Sequence, residues 1–161
     1  MNPETRNKIG MGLLAIAIAL LAIVVVAALW IDGKSLQTAD PENMQQVAGG
    51  KAIYAQHCAG CHGIQLEGQP DWRNRLANGR LSAPPHDASG HTWHHPDSML
   101  FGITKHGLVP GRYAPPGYQS DMPAFGGTLR DEDIWAVLAY IKTSWPPDVR
   151  SMQQQLVEKS P

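Results

Sequence analysis

The chain has 161 residues, 43% of them hydrophobic, with 13 Lys and Arg against 14 Asp and Glu and a formal net charge of −1. That length holds one domain with appendages, and the charge balance argues against a nucleic-acid ligand because it leaves no basic excess. No internal repeat is visible.

Taken in chain order, residues 1–8 form a short polar start carrying Arg6 and Lys8, followed by an uncharged run from Ile9 to Ile31. As a helix that run would measure about 35 Å at about 1.5 Å per residue, enough to cross a bilayer core. It exceeds a signal-peptide core and ends in Ala28-Leu29-Trp30-Ile31 without a clear small-x-small cleavage site. The expectation is a retained single transmembrane helix over 9–31. The two preceding cations put the N-terminus in the cytoplasm and Trp30 at the outer interface.

Residues 32–43 read as a linker and the start of the first helix. Asp40 is the expected N-cap, Pro41 the first helical residue, and the helix runs toward Gln56. Gly49 and Gly50 interrupt it at a cost of about 1 kcal/mol each, which demands a packing reason. The far helix supplies one. Asp131–Ser144 carries Ile134, Val137, Leu138 and Ile141 on one face and stops before Pro146-Pro147. A bare glycine admits a crossing helix closely, so Gly50 and Tyr54 are expected against Val137 and Tyr140.

The first helix leads into Cys58-Ala59-Gly60-Cys61-His62, the C-x-x-C-H spacing of covalent haem c attachment. Two thiols add to the haem vinyl groups and the adjacent histidine binds the iron. A thioredoxin-type redox pair would want a βαβ setting, and a zinc site would want two further soft ligands, whereas these are the chain's only cysteines. Residues 63–90 are rich in Gly and Pro and need something to wrap. A third helix is expected over Pro96–His106, with Met99, Leu100 and Ile103 on its apolar face and Gly107 after its end. A loop follows from Leu108 to Asp121 and leads to Met122-Pro123-Ala124-Phe125. Residues 148–161 form a tail. Val149, Met152 and Leu156 give it a short amphipathic turn that folds back or meets another subunit, with a frayed terminus as the main expectation.

Gly50-x-x-x-Tyr54-x-x-x-Cys58-x-x-Cys61-His62-Gly63, Met122-Pro123-Ala124-Phe125, and Leu129 to Ile141 ending in Leu138-Ala139-Tyr140-Ile141 together resemble class I c-type cytochromes, the mono-haem, His/Met-ligated family, in its membrane-anchored bacterial form. The resemblance covers roughly Met44 to Trp145. It implies an all-α cytochrome c fold over 44–147, a small helical bundle around one covalent haem c, preceded by the transmembrane helix. It also implies His62 and Met122 as axial iron ligands. The haem domain is expected on the periplasmic side of the bacterial inner membrane, because haem is attached there. Arg130 departs from the Ser or Thr N-cap common among relatives, leaving the helix start open.

Met122 also has a physical case. A neutral, soft thioether favours ferrous iron, and Pro123 holds Met122 in an extended conformation. By analogy His62 donates Nδ1–H to a carbonyl in the Pro84-Pro85 stretch. Trp72, Arg73, Arg75, Trp93, Arg112, Tyr113 and Tyr118 are candidates for the haem propionates, which need charged or N–H donors; Arg73, Trp93 and Tyr113 stand with Pro84 and Pro85 as cofactor contacts. His91, His94 and His95 fit either a second metal site or local hydrogen bonding, and the local reading is the stronger. His106 complements its helix dipole.

The functional expectation is a non-enzymatic single-electron carrier cycling Fe(II) and Fe(III). Its redox partners would be a quinol-oxidising complex, a dehydrogenase or a terminal oxidase. From Asp32 onward 11 cations face 13 anions, so docking would rely on an apolar patch rather than steering. The alternatives are a haem subunit of a larger oxidoreductase complex, and a haem enzyme or gas sensor with an open iron position.

Overall fold

The computed structural model describes residues 14–27 and 38–158. The chain divides into two compact units, Met1–Leu36 and Gln37–Pro161. In the first, residues 14–27 form helix α1 with every side chain exposed. No helix among the described residues is long and apolar enough to cross a membrane. The remainder of the expected 9–31 span, with Arg6, Lys8 and Trp30, lies outside the described residues.

The second unit is helical, with α2 (Met44–His57), α3 (Ala59–His62), a 3-10 turn (Thr92–His94), α4 (Asp97–His106), α5 (Asp131–Thr143) and α6 (Pro147–Glu158). No strand occurs among the described residues; two isolated bridges, Arg75 with Leu81 and Pro110 with Ala114, pinch the long loops.

Helix α2 begins later than Asp40-Pro41 suggested. Asp40 caps a turn instead, its Oδ1 accepting from Glu42 N–H at 2.9 Å, and Asn43 becomes the N-cap, accepting from Gln46 N–H at 3.0 Å. Two capping residues three positions apart competed, and the helix begins at the second. Met44, at the helix start, is 85% exposed and contributes nothing to that face.

The α2–α5 crossing forms as expected. A Cβ on Gly50 would overlap the Ala136 carbonyl and touch Val137 N, so only glycine permits this approach. Tyr54, 1% exposed, packs on Tyr140 with ring centroids 5.4 Å apart. Around it lie Ile134, Val137, Leu138, Ala139, Ile141, Leu100 and Trp145. Burying a side chain such as Ile134 contributes about 2 kcal/mol, so this crossing is the main apolar anchor of the unit.

Helix α4 starts at Asp97 with Pro96 as its N-cap and ends at Gly107, φ 78°. Helix α5 takes Arg130 as its N-cap, whose backbone N–H donates to Asp133 Oδ2 at 3.1 Å while its guanidinium pairs with the same carboxylate. That contact holds the Asp133 carboxyl below its ordinary range. Lys105 at the end of α4 meets Asp131 at the start of α5 at 2.7 Å, opposite charges placed where each helix dipole favours them.

The C-terminal segment corrects the expectation of a frayed tail. Pro147 occupies the first turn of α6, and Val149 and Gln153 are buried. Gln153, 2% exposed, donates to Asp97 Oδ1 at 2.6 Å and to His95 O at 3.3 Å. The other Asp97 oxygen accepts from Lys142 Nζ at 2.6 Å, and Lys142 also reaches Ala39 O at 3.2 Å. One polar cluster thus joins α4, α5, α6 and the entry to α2, and its ion pair is satisfied at both ends.

Candidate functional site

Cys58 is the hinge between α2 and α3. Its N–H donates to Tyr54 O at 2.9 Å, and its carbonyl accepts from His62 N–H at 2.9 Å. The two thiols and the imidazole therefore sit on a single helical turn. Cys58 is half-buried, Cys61 is exposed, and neither forms a disulfide. Burial, with a smaller contribution from Cys61, pushes the Cys58 thiol up to about 11, so it remains protonated at neutral pH before attachment.

His62 is buried, and its Nδ1–H donates to Pro84 O at 2.8 Å. Burial holds the imidazole below its ordinary range against the opposing pull of that carbonyl. The ring is thus neutral at neutral pH, the form a metal requires, and Nε2 has no hydrogen-bond partner among the described residues.

The Pro84 carbonyl is placed by a tight double-layered loop. Gly68 N–H donates to His62 O at 2.8 Å, Gln69 N–H to Ala83 O at 2.9 Å, and His86 N–H to Leu66 O at 2.8 Å. A Cβ on Gly68 would press into the Pro84–Pro85 peptide, and one on Gly90 would overlap the Pro85 carbonyl. Pro85 itself is buried between them.

Sequence reasoning did not single out His86, the ring behind His62. The His86 ring stacks on His62 with centroids 3.9 Å apart and an interplanar angle of 21°. Burial, and then the neighbouring His62 and His91, hold His86 well below the ordinary imidazole range. Trp145 Nε1–H donates to His86 O at 2.8 Å, and Tyr54 faces the His86 ring edge-on while its hydroxyl donates to Gly63 O at 2.9 Å. Only the adjacency of His86 to Pro85 signalled it in the sequence.

Met122 lies on the loop between α4 and α5 and is partly exposed. Its N–H donates to Ser120 Oγ at 3.0 Å. Beyond it, Phe125 N–H donates to Thr104 O at 3.0 Å and Gly126 N–H to Lys105 O at 2.9 Å, tying the loop to the end of α4. The Phe125 ring meets His57 edge-on at 6.3 Å, which brings the Met122-Pro123-Ala124-Phe125 loop to the residue preceding Cys58. On the near side Asp121 pairs with Arg80.

The propionate candidates are scattered. Arg73 lies over Trp72 at 4.1 Å and reaches Ser89 O at 3.4 Å, while Trp93 gives its N–H to Ala88 O at 3.4 Å. Arg75 donates to Gly79 O at 2.6 Å. Tyr113 packs its hydroxyl where a Gly102 side chain would be, beneath Arg112 and parallel to His106 at 6.4 Å. Arg75 and Tyr118 line one groove between the two long loops.

The His91, His94 and His95 rings pack against neighbouring rings. His91 stacks on Trp72, His94 on Trp93, and His95 meets His91 edge-on. No group of three or more His, Cys, Asp or Glu among the described residues is placed to hold a metal.

Two unpaired thiols and a neutral buried imidazole on one turn, with Nδ1 committed and Nε2 uncommitted, fit a thioether-attached haem. The cytochrome c family pattern matches residues 47–145. The chain belongs to the cytochrome c family. Covalently bound haem c is this family's cofactor, and Cys58 and Cys61 carry its attachment motif. The strandless helical unit suits the cytochrome c fold, whose role is electron transfer through haem. A thiosulfate dehydrogenase of Stutzerimonas stutzeri (strain A1501) is 32% identical over 121 residues, covering 74% of this cytochrome and 34% of the relative. The chain thus spans about a third of the length of that curated relative. No solved structure matches it.

Proposed function

We propose that this cytochrome is a class I, membrane-anchored carrier of single electrons with His62 and Met122 as axial ligands. The observation that carries the reading is the buried, neutral His62 with Nδ1–H on Pro84 O at 2.8 Å, on the same turn as both thiols. Haem c, when bound, supplies a one-electron iron couple. His62 would bind the iron through Nε2, with its tautomer fixed by the Pro84 carbonyl. Met122 offers a soft thioether from a loop pinned at both ends, which favours the ferrous state. Buried Tyr54 and Trp145 hold the Gly63 and His86 carbonyls beside His62, which resists rearrangement when the charge changes.

Residues 9–31 serve as the single-pass anchor, the N-terminus lying in the cytoplasm and the haem unit on the periplasmic side of the inner membrane. Support comes from the uncharged run and from α1, which exposes Leu14, Ile16, Ile18, Leu20 and Ile23 all around. Tethering raises the effective concentration of partners in the same membrane, such as a quinol-oxidising complex, a dehydrogenase or a terminal oxidase.

The test is the absorption spectrum of the oxidised protein. A red charge-transfer band diagnostic of sulfur ligation is expected, together with its loss in Met122→Ala without loss of covalent haem. A wild-type spectrum lacking that band contradicts His62/Met122 ligation.

The Stutzerimonas relative favours a second reading, a haem unit within an oxidoreductase that oxidises thiosulfate. Stable, stoichiometric companion subunits that together pass electrons from thiosulfate to this haem support it, whereas a lone monomer reduced only by a separate donor protein supports the carrier.

A further inference from the structure

We propose that His86 is a positioning residue for the haem iron: stacked on His62, it fixes the plane of the axial imidazole and biases the iron toward its ferric state. The inference rests on His62 as iron ligand and adds to that reading a second ring behind the first.

The two rings lie 3.9 Å apart at 21°, a true face contact. A hydrogen bond at one ring atom, such as His62 Nδ1 to Pro84 O, restrains that atom and leaves the ring able to rock about it. A second ring laid flat against the first resists that rocking. For this to work the second ring must itself be fixed, and it is. His86 Nδ1 meets Thr92 Oγ1 at 2.8 Å, and the Thr92 hydroxyl extends to Pro85 O at 3.5 Å. With that hydrogen directed to Pro85, Thr92 Oγ1 accepts the Nδ1–H of His86. The backbone of His86 is held on both sides, its N–H by Leu66 O and its carbonyl by Trp145 Nε1, each at 2.8 Å. Trp145 is buried just past the C-cap of α5 and belongs to the same core cluster, so the stack is braced from the main helix crossing.

The stack also acts on the iron couple. Loss of an electron from the iron draws density from His62, making its ring more electron-poor. The π face of His86 attracts an electron-poor ring more strongly, so the contact is worth more in the ferric protein. The orientation of an axial imidazole in turn sets the direction in which unpaired ferric spin spreads over the haem.

The experiment uses the full-length protein carrying covalent haem, with His86→Leu, His86→Phe and Thr92→Val. His86→Leu is expected to rearrange the hyperfine-shifted haem-methyl proton resonances of the ferric form. It is also expected to raise the ferrous-to-ferric ratio at a fixed poise by about threefold. His86→Phe, which keeps a flat ring, restores most of both. Thr92→Val, which keeps His86 but removes its Nδ1 partner, moves the methyl shifts in the same direction by less. A methyl pattern and ratio unchanged in His86→Leu overturn the inference, as does a His86→Phe variant shifted as far as His86→Leu. If His86→Leu takes up no haem, unchanged methyl shifts in Thr92→Val overturn it. A wild-type spectrum without an axial imidazole overturns both this inference and the ligand reading, whereas an intact wild-type pattern with unmoved variants overturns this inference alone.

Discussion

The two sides of the proposed haem site are built differently. On the His62 side, a buried ring is held by Pro84 O, backed by His86, and enclosed by a loop whose layers meet at Gly68 and Gly90. On the Met122 side, a partly exposed residue rides on a loop secured at its ends, by Arg80–Asp121 before it and by the Phe125 and Gly126 N–H groups after it. Of the two proposed ligands, His62 is over-determined by its surroundings, whereas Met122 depends on a few contacts at the margins of a loop. Under stress, Met122 should leave the iron long before His62 does.

The largest effect expected is from breaking the close-packed half. Gly90→Val places a side chain on the Pro85 carbonyl and should cost about 3 kcal/mol, as overpacking with backbone displacement does. Denaturant midpoints and covalent haem per chain measure it. An unchanged midpoint would show that the loop yields freely and that the contrast between the halves is overstated.

A smaller effect is expected on the other side. Asp121→Asn removes the ion pair with Arg80, both side chains being substantially exposed. Such pairs are worth about 0–1 kcal/mol and weaken with salt. Global stability should therefore barely change, while added imidazole displaces Met122 about twofold to fivefold faster, as a loss of that size in one loop contact implies. High salt should abolish the difference between variant and wild type. Equal rates at low salt would remove Arg80–Asp121 from the account.

The smallest effect concerns pH. Burial lowers His91 and His95 from the ordinary imidazole value, His94 and Arg73 adding to the shift at His91, and His91 and His94 adding to it at His95. A base lowered in the folded state binds fewer protons there than in the unfolded chain. Its stabilising contribution is therefore fully present above the ordinary value of about 6.5 and is lost as pH falls below that value and through the lower folded-state one. The denaturant midpoint should drop as pH falls below about 6.5, and His91→Asn should flatten that slope.

How much of this was legible in the sequence follows from the range of the forces involved. The attachment motif is local covalent chemistry, readable from five residues. Helices α4 and α5 announce themselves through Pro96, Gly107 and the spacing of Ile134, Val137, Leu138 and Ile141. The α2–α5 contact was readable because Gly50 inside a helix needs a partner and Tyr140 stood ready to meet Tyr54. The start of α2 was misplaced because Asp40 and Asn43 are both good caps, and only tertiary packing chooses between them. Helix α6 was only half legible: Val149, Met152 and Leu156 gave an amphipathic turn that could fold back, but its other buried residue, Gln153, is polar. Its partner Asp97 is 56 residues away, and no apolar period reports such a bond. The stack of His86 on His62 was invisible for the same reason, since two rings on opposite layers of a loop share no pattern along the chain.

The most direct measurement of the asymmetry is proton NMR of the ferrous protein, read during stepwise denaturation. Bound methionine places its ε-methyl above the haem face, where the ring current moves that resonance far upfield. The account predicts an upfield methyl absent from Met122→Ala, which disappears at lower denaturant than the resonances of the His62 ring. Simultaneous loss of both ligands' signals, or an upfield methyl that survives in Met122→Ala, would contradict it.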